Sequence, residues 1–160
     1  MIKVVAIGKR HEAWIDDGLK RYSKRLGGSW SVEWTLLPHS ARKGQEARQE
    51  ESGRILSRIR DDEYVILLDE RGKLLDSPAL SSELTEAMGS GRVITIIIGG
   101  AYGVDDTVVQ RANLVWSLSP LVFPHQLVRL ILVEQLYRAQ AIYMGHPLNQ
   151  IGRASCRERV

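Results

Sequence analysis

The turn Gly99-Gly100-Ala101-Tyr102-Gly103 sits between a run of β-formers and a helix-like segment, and it is the chain's first candidate for chemistry. Without Cβ atoms its backbone admits a ligand at close range, and its free N–H groups can hold polar ligand atoms. In open α/β sheets ligands approach the carboxyl ends of strands, which is where this turn falls. The spacing Gly-Gly-x-x-Gly is neither a dinucleotide fingerprint nor a P-loop, because no Gly-Lys-Ser/Thr follows. On these residues alone, a plain structural turn is an equal reading. Leu68, with Asp69 and Glu70, ends a second apolar strand and lies near the turn if the two strands are neighbours; otherwise it is an ordinary strand exit. Leu118, Ser119, Pro120, Leu121, Val122 and Phe123 form a short apolar segment with Pro124 just beyond. Proline at both positions argues against an inner strand and for a fixed loop. Such a loop can wrap a planar ring such as adenine, with core packing as the alternative.

The segment from His125 to Met144 is helical and apolar nearly all round, which implies burial. Its polar residues then need partners. His125 and Arg129 are four apart on one face, and Glu134 and Arg138 are four apart in the order that favours an ion pair. Structural pairing is the reading these residues support by themselves. His146, in Gly145-His146-Pro147, follows the helix as a catalytic candidate or a C-terminal cap. The four histidines and single cysteine fall into no cluster with metal-ligand spacing, and no Gly-x-Ser-x-Gly nucleophile elbow is present.

The elements that must position these groups alternate between strand and helix. Ile2 to Ile7, Ser31 to Leu37, Tyr64 to Leu68 and Val93 to Ile98 read as strands, with Leu114 to Leu118 and Leu121 to Phe123 as short extended pieces. Helices are expected over Glu12 to Leu26, stopped by Gly27-Gly28, and over Gln45 to Arg60, Ser77 onward and Asp105 to Ala112. In the third of these, serine caps and Pro78 occupies the first turn. This alternation specifies an α/β domain with a largely parallel sheet, and no repeat or linker divides it.

Composition sets the outer bounds. A chain of 160 residues with 44% apolar and 26% charged residues suits one globular domain. The longest apolar run, Val93 to Ile98, is too short to span a bilayer, and the N-terminus lacks a signal-peptide layout, so no membrane partner and a cytoplasmic location are expected. The formal net charge is +3, of which +2 comes from Arg153, Arg157 and Arg159 against Glu158. The body carries 19 basic and 18 acidic residues, so global charge does not establish a nucleic-acid partner. Lys9, Arg10, Arg42, Lys43 and Arg48 are candidate phosphate contacts, although a solvated face is the usual meaning of such residues.

Taken together, Ile98-Gly99-Gly100-Ala101-Tyr102-Gly103, Ser117-Leu118-Ser119, Phe123-Pro124-His125-Gln126-Leu127-Val128-Arg129 and Val133-Glu134-Gln135-Leu136-Tyr137-Arg138-Ala139 resemble the bacterial large-subunit 23S rRNA (pseudouridine-N3)-methyltransferases of the SPOUT class. The resemblance covers residues 1–147. It implies a SPOUT-type α/β knot, a parallel-sheet domain whose C-terminal part forms a trefoil knot, although periodicity shows no knot and such threading is rare. It also implies a homodimer, S-adenosyl-L-methionine as methyl donor, and no metal. The substrate would be a pseudouridine of 23S rRNA in the 70S ribosome, in the stem-loop facing the small subunit, helix 69. Cofactor-binding positions carried over are Leu68, Gly99, Leu118, Ser119, Pro120, Leu121, Val122 and Phe123. Catalytic candidates are His146, Arg129 and Arg138. Because the donor sulfur is already positive, the protein chiefly aligns the groups and removes the N3 proton. A SPOUT methyltransferase acting on tRNA and a non-catalytic ribosome-associated RNA-binding protein are the alternatives.

The family ends His-Pro-Tyr-His and a basic residue, whereas here Leu148-Asn149-Gln150 follow His146-Pro147. Residues 148–160 have no amphipathic period and are expected to be a non-native tail. Deleting them is expected to leave the thermal unfolding midpoint within about 1 °C, since a segment without an apolar face buries little. A fall of several degrees on differential scanning calorimetry would instead make the tail part of the fold.

Overall fold

In a computed structural model of the protein, which describes residues 1–145, the apolar runs become five parallel strands of one sheet. They are β1 (Ile2–Ile7), β2 (Val32–Leu37), β3 (Tyr64–Leu74), β4 (Ile94–Ile98) and β5 (Leu114–Ser117), in the order β2-β1-β4-β3-β5. The helices are α1 (Ala13–Ser23), α2 (Gly44–Leu56), α3 (Ser77–Gly89), α4 (Asp106–Arg111) and α5 (His125–Tyr143). The candidate residue His146 and the tail 148–160 lie outside the described residues.

Alternation along each strand divides the core in two. Ile2, Val4, Ala6, Ile66, Ile94, Ile96 and Ile98 face α1, α3 and α5, meeting Ile15, Leu84, Leu132 and Leu136. Val5, Ile7, Val65, Leu67 and Ile97 face the other way, onto Ile55 of α2 and Val108 of α4. Burial on both faces is the usual condition of an all-parallel sheet, and it accounts for the nearly continuous apolar runs. Strands β3 and β4 are neighbours with Leu68 beside Ile98, so their carboxyl ends emerge together.

Several boundaries differ from expectation. β3 continues beyond Leu68 to Leu74, shifting register between Leu68 and Lys73 before pairing again with Trp116 and Ser117 of β5. Gly72 permits this, since a Cβ there would lie 2.6 Å from the Val115 carbonyl oxygen. Asp76, not Ser77, caps α3, accepting from the Ala79 amide at 2.9 Å. α1 ends at Ser23 and α2 at Leu56, earlier than the apolar spacing suggests, because Leu26 and Ile59 pack from turns. Leu121 to Phe123 form a loop and join no strand. α5 buries Arg129, Leu132, Val133, Leu136, Ala139, Gln140 and Ala141, while its other residues up to Ile142 are half-covered.

At the amino ends of the strands, a buried polar cluster fixes the start of the sheet. Glu63 accepts from the Thr95 hydroxyl and from the Arg60 amide at 2.9 Å, and it pairs with Lys3 at 2.9 Å. Burial pushes the Glu63 carboxyl up, but the Thr95 and Lys3 contacts outweigh it and hold the group below the usual glutamate range. A depressed carboxylate pKa stabilises the fold above the unfolded value, and that contribution is lost as pH falls through the folded one. Glu63→Gln is therefore expected to cost about 1–3 kcal/mol near neutral pH. The deficit should shrink in acid, where the wild-type carboxylate is protonated too. Urea midpoints at neutral and acid pH check this, and a pH-independent deficit would contradict it.

Candidate active site

The carboxyl ends of β3 and β4 open into a cavity of about 880 Å³. One wall is the turn from Gly99 to Asp105, and a second is the loop carrying Leu118, Ser119, Leu121, Val122 and Phe123. Leu68 and Asp69 come from β3, while Gln45, Arg48 and Gln49 come from α2. Seven of the eight positions singled out for a cofactor thus meet at one place, and Pro120 joins two of them without lining the space itself.

The glycine turn is held from several sides. Gly103, at φ +76°, donates its amide to the Gly100 carbonyl at 3.0 Å and closes the turn. Left-handed backbone of this kind strains any residue with a Cβ. Arg48 Nε donates to the Tyr102 carbonyl at 3.0 Å, and the Asp105 amide donates to Ser52 Oγ at 3.0 Å. A Cβ on Gly99 would already press on Val104 Cγ1 at 3.0 Å, so the turn packs close against its own exit.

The opposite loop is pinned by its serines. Ser117 Oγ donates to the Ser119 carbonyl at 3.0 Å, and the Leu121 amide donates to Ser119 Oγ at 3.0 Å. This leaves Leu121 70% and Val122 79% exposed, on the rim of the cavity. At the β3 side, Arg71 grips Asp69 through Nε at 3.0 Å and Nη2 at 2.9 Å. That guanidinium holds the Asp69 carboxyl below its ordinary value, so a carboxylate stands at the cavity edge.

His125 and Arg129 do not pair with each other. His125 Nε2 lies 2.7 Å from the Gly99 carbonyl, which can only accept, so Nε2 carries the proton. Arg129 is completely buried and donates to the carbonyls of Ile7 at 3.1 Å, Gly8 at 3.2 Å and Arg10 at 3.0 Å. Its remaining contact is His11 Nδ1, at 3.1 Å. Backbone carbonyls thus replace the side-chain partner that spacing suggested. His125 lines the cavity, whereas neither Arg129 nor Arg138 does. Arg138 makes the expected pair with Glu134, at 2.9 Å. Among the described residues no group of three or more His, Cys, Asp or Glu is placed to hold a metal ion. Gln45 and Gln49 went unnoticed in the sequence, although with Arg48 their spacing of three and four marks one helix face.

A family model described as predicted SPOUT methyltransferase matches residues 1–148. The chain is 41% identical over 152 residues to ribosomal RNA large subunit methyltransferase H of Alkalilimnicola ehrlichii, covering 93% of this chain and 98% of that protein. It is 39% identical over 154 residues to the protein of the same name from Thioalkalivibrio sulfidiphilus, with the same coverage. Among solved structures, a probable methylase family protein from Haemophilus influenzae Rd KW20 superposes with a TM-score of 0.56 at 15% identity. That match covers 91% of this chain and 69% of the other, and it shows a shared fold.

Burial, and then the nearby Arg129 charge, depress the pKa of His125, so the folded chain favours its neutral form. Stability is complete above the unfolded histidine value of about 6.5 and declines as pH falls from there toward the lowered folded value. His11, also depressed by burial and Arg129, contributes in the same sense. His125→Ala is expected to cost about 1–2 kcal/mol near pH 8 and to flatten, without abolishing, the decline below about pH 6.5. Urea midpoints across that range check it, and an unchanged slope would contradict the assignment.

Proposed function

The chain belongs to the SPOUT methyltransferase family, and from that premise we propose that it methylates N3 of a pseudouridine in 23S rRNA of the assembled 70S ribosome, using S-adenosyl-L-methionine. The observation that carries this reading is the single cavity shared by Leu68, Gly99 and the Leu118–Phe123 loop. The names of the relatives, at about 40% identity over nearly their whole length, support the choice of large-subunit ribosomal RNA.

The residues present fit the cofactor. Leu118, Leu121, Val122 and Phe123 offer an apolar wall for the adenine ring, and Gly99 and Gly100 leave room for close backbone approach. Glu70, Asp105 and Asp106 stand around the opening with carboxylates that accept hydrogen bonds from hydroxyls, while Asp69 there is already paired with Arg71. When bound, S-adenosyl-L-methionine supplies a methyl group on a positively charged sulfur. The protein's own work is to orient the two partners and to remove one proton from the target nitrogen. His125, by donating to Gly99, fixes the cofactor wall. Arg129, one turn further along α5, acts as a positioning residue by clamping the carbonyls of Ile7, Gly8 and Arg10, and Arg138 is set by Glu134. We assign proton removal to His146, on the family resemblance of His146-Pro147.

The same reading includes a homodimer, a trefoil knot and a cytoplasmic location. Half-covered residues along α5, with Tyr143 and Met144 exposed at its end, support a partner on that helix. The return of α5 from the β5 edge onto α1 and α3 supports the knotted path. No described helix is long and apolar enough to cross a membrane. Residues 148–160 are read as foreign to the domain, in keeping with a family match that stops at residue 148.

Calorimetry is expected to show saturable binding of S-adenosyl-L-methionine. Leu121→Arg combined with Val122→Arg should weaken it at least about tenfold, equivalent to 1.4 kcal/mol. Both side chains are exposed, so this change spares the core. Labelled methyl transfer should go to 70S ribosomes and not to bulk tRNA. A folded wild-type chain that binds RNA without binding the cofactor would overturn the enzymatic reading, and transfer to tRNA alone would overturn the substrate.

A further inference from the structure

α2 buries a carboxylate against the glycine turn. Glu51 is 3% exposed. Its Oε2 accepts from the Ser40 amide at 2.9 Å and lies 3.9 Å from His39 Nδ1. Its Oε1 is buried and has no hydrogen-bond partner among the described residues. A Cβ built on Gly100 would fall 2.5 Å from that oxygen, so Oε1 rests directly on the Gly100 backbone, and Gly100 lines the cavity.

A half-satisfied buried carboxylate costs the fold stability, and an apolar residue would serve folding better. Arg129, the buried guanidinium of α5, donates to the carbonyls of Ile7, Gly8 and Arg10 and not to Glu51. The missing interaction is therefore with something that arrives at the other side of the turn. The other carboxylates around the cavity are poorer sources of field there. Asp69 is neutralised by Arg71, Asp105 is committed to the start of α4, accepting from the Thr107 amide at 3.0 Å, and Glu70 and Asp106 are exposed and screened by solvent. Glu51 acts through backbone and apolar side chains, where a charge is felt more strongly.

We propose that Glu51 is the electrostatic counterpart of the positive sulfur of the methyl donor, making the cavity prefer the cationic donor to its neutral-sulfur product, S-adenosylhomocysteine. This rests on the reading of the cavity as the S-adenosyl-L-methionine site. Donor and product share the adenosine, the carboxylate and the ammonium, and they differ in the methyl group and in the sulfur charge. A fixed negative charge below Gly100 distinguishes them by that charge, holding the donor and loosening its grip once the methyl has left. Glu51 touches no reacting atom, so it is a specificity and positioning residue.

Calorimetric titration of the wild type and Glu51→Gln with both ligands, at low and high salt, tests this. Glutamine keeps the shape and an acceptor for the Ser40 amide while removing the charge. Donor affinity is expected to fall about tenfold and product affinity to change less than about twofold, with the ratio insensitive to salt. Should Glu51→Gln fail to fold, Glu51→Asp, with its charge one methylene farther from the turn, should lose donor affinity by a smaller factor and again spare the product. Parallel weakening for both ligands, or no change, would overturn the proposal and leave Glu51 as a support for the turn. A wild type that binds neither ligand would instead sink the reading of the cavity, and this inference with it.

Discussion

A single buried guanidinium holds the carboxyl end of the sheet together. Arg129, one turn into α5, reaches across the molecule to the carbonyls of Ile7, Gly8 and Arg10, more than a hundred residues away in sequence. Gly8 makes this possible, since at φ +119° a Cβ there would stand 2.7 Å from the Arg129 Nη2 nitrogen. The Ile7 and Gly8 carbonyls are buried acceptors that this guanidinium satisfies, and a buried acceptor left without a donor costs about 1–3 kcal/mol. The neighbouring residues of α5 extend the same clamp. His125 takes the Gly99 carbonyl at 2.7 Å, and Gln126 bridges the Arg10 carbonyl and the Glu12 amide. The start of α5 thus fixes the exits of both β1 and β4, and the walls of the cavity follow from that.

The two ends of the sheet treat polar burial in opposite ways. At the amino end, Glu63 is met by Thr95, Lys3 and the Arg60 amide, while Arg92 and Arg111 close on its own carbonyl at 2.8 and 3.0 Å. Every charge there has a partner, as a cluster serving stability requires. At the carboxyl end, Glu51 Oε1, Trp116 Nε1 and Arg129 Nε are buried without hydrogen-bond partners among the described residues. Departures from full satisfaction gather at the end with the cavity, where a fold is expected to depart from its local rules.

How much of this was legible in the sequence depended on how local the cause was. Runs such as Ile94 to Ile98 announce strands because burial on both faces leaves only apolar residues to choose from. The glycine turn and the proline-bounded loop were visible because backbone restrictions are written in residue type. The extension of β3 was hidden, since it depends on Gly72 passing close to Val115 of another strand. The partners of Arg129 were hidden for a related reason: every residue has a carbonyl, so spacing pointed to His125 instead. Nothing in the spacing of a helix rich in Glu, Gln and Arg sets Glu51 apart; only the packing of α2 places it under Gly100.

The exposed rim of the cavity bears on the same question from the apolar side. Leu121 and Val122 are among the most exposed large hydrophobics of the described chain, yet they sit on a loop tied down by Ser117 and Ser119. A tethered loop cannot fold such side chains inward, so their apolar surface stays in water unless something covers it. Burying a Leu or Val side chain is worth about 1.5–3 kcal/mol when complete, so a flat apolar ligand gains from both residues at once. The cavity therefore combines uncovered apolar surface on one wall with a half-satisfied buried carboxylate behind the other. A ligand that is apolar at one end and cationic near the other satisfies both walls together, whereas a neutral apolar molecule would satisfy only the first.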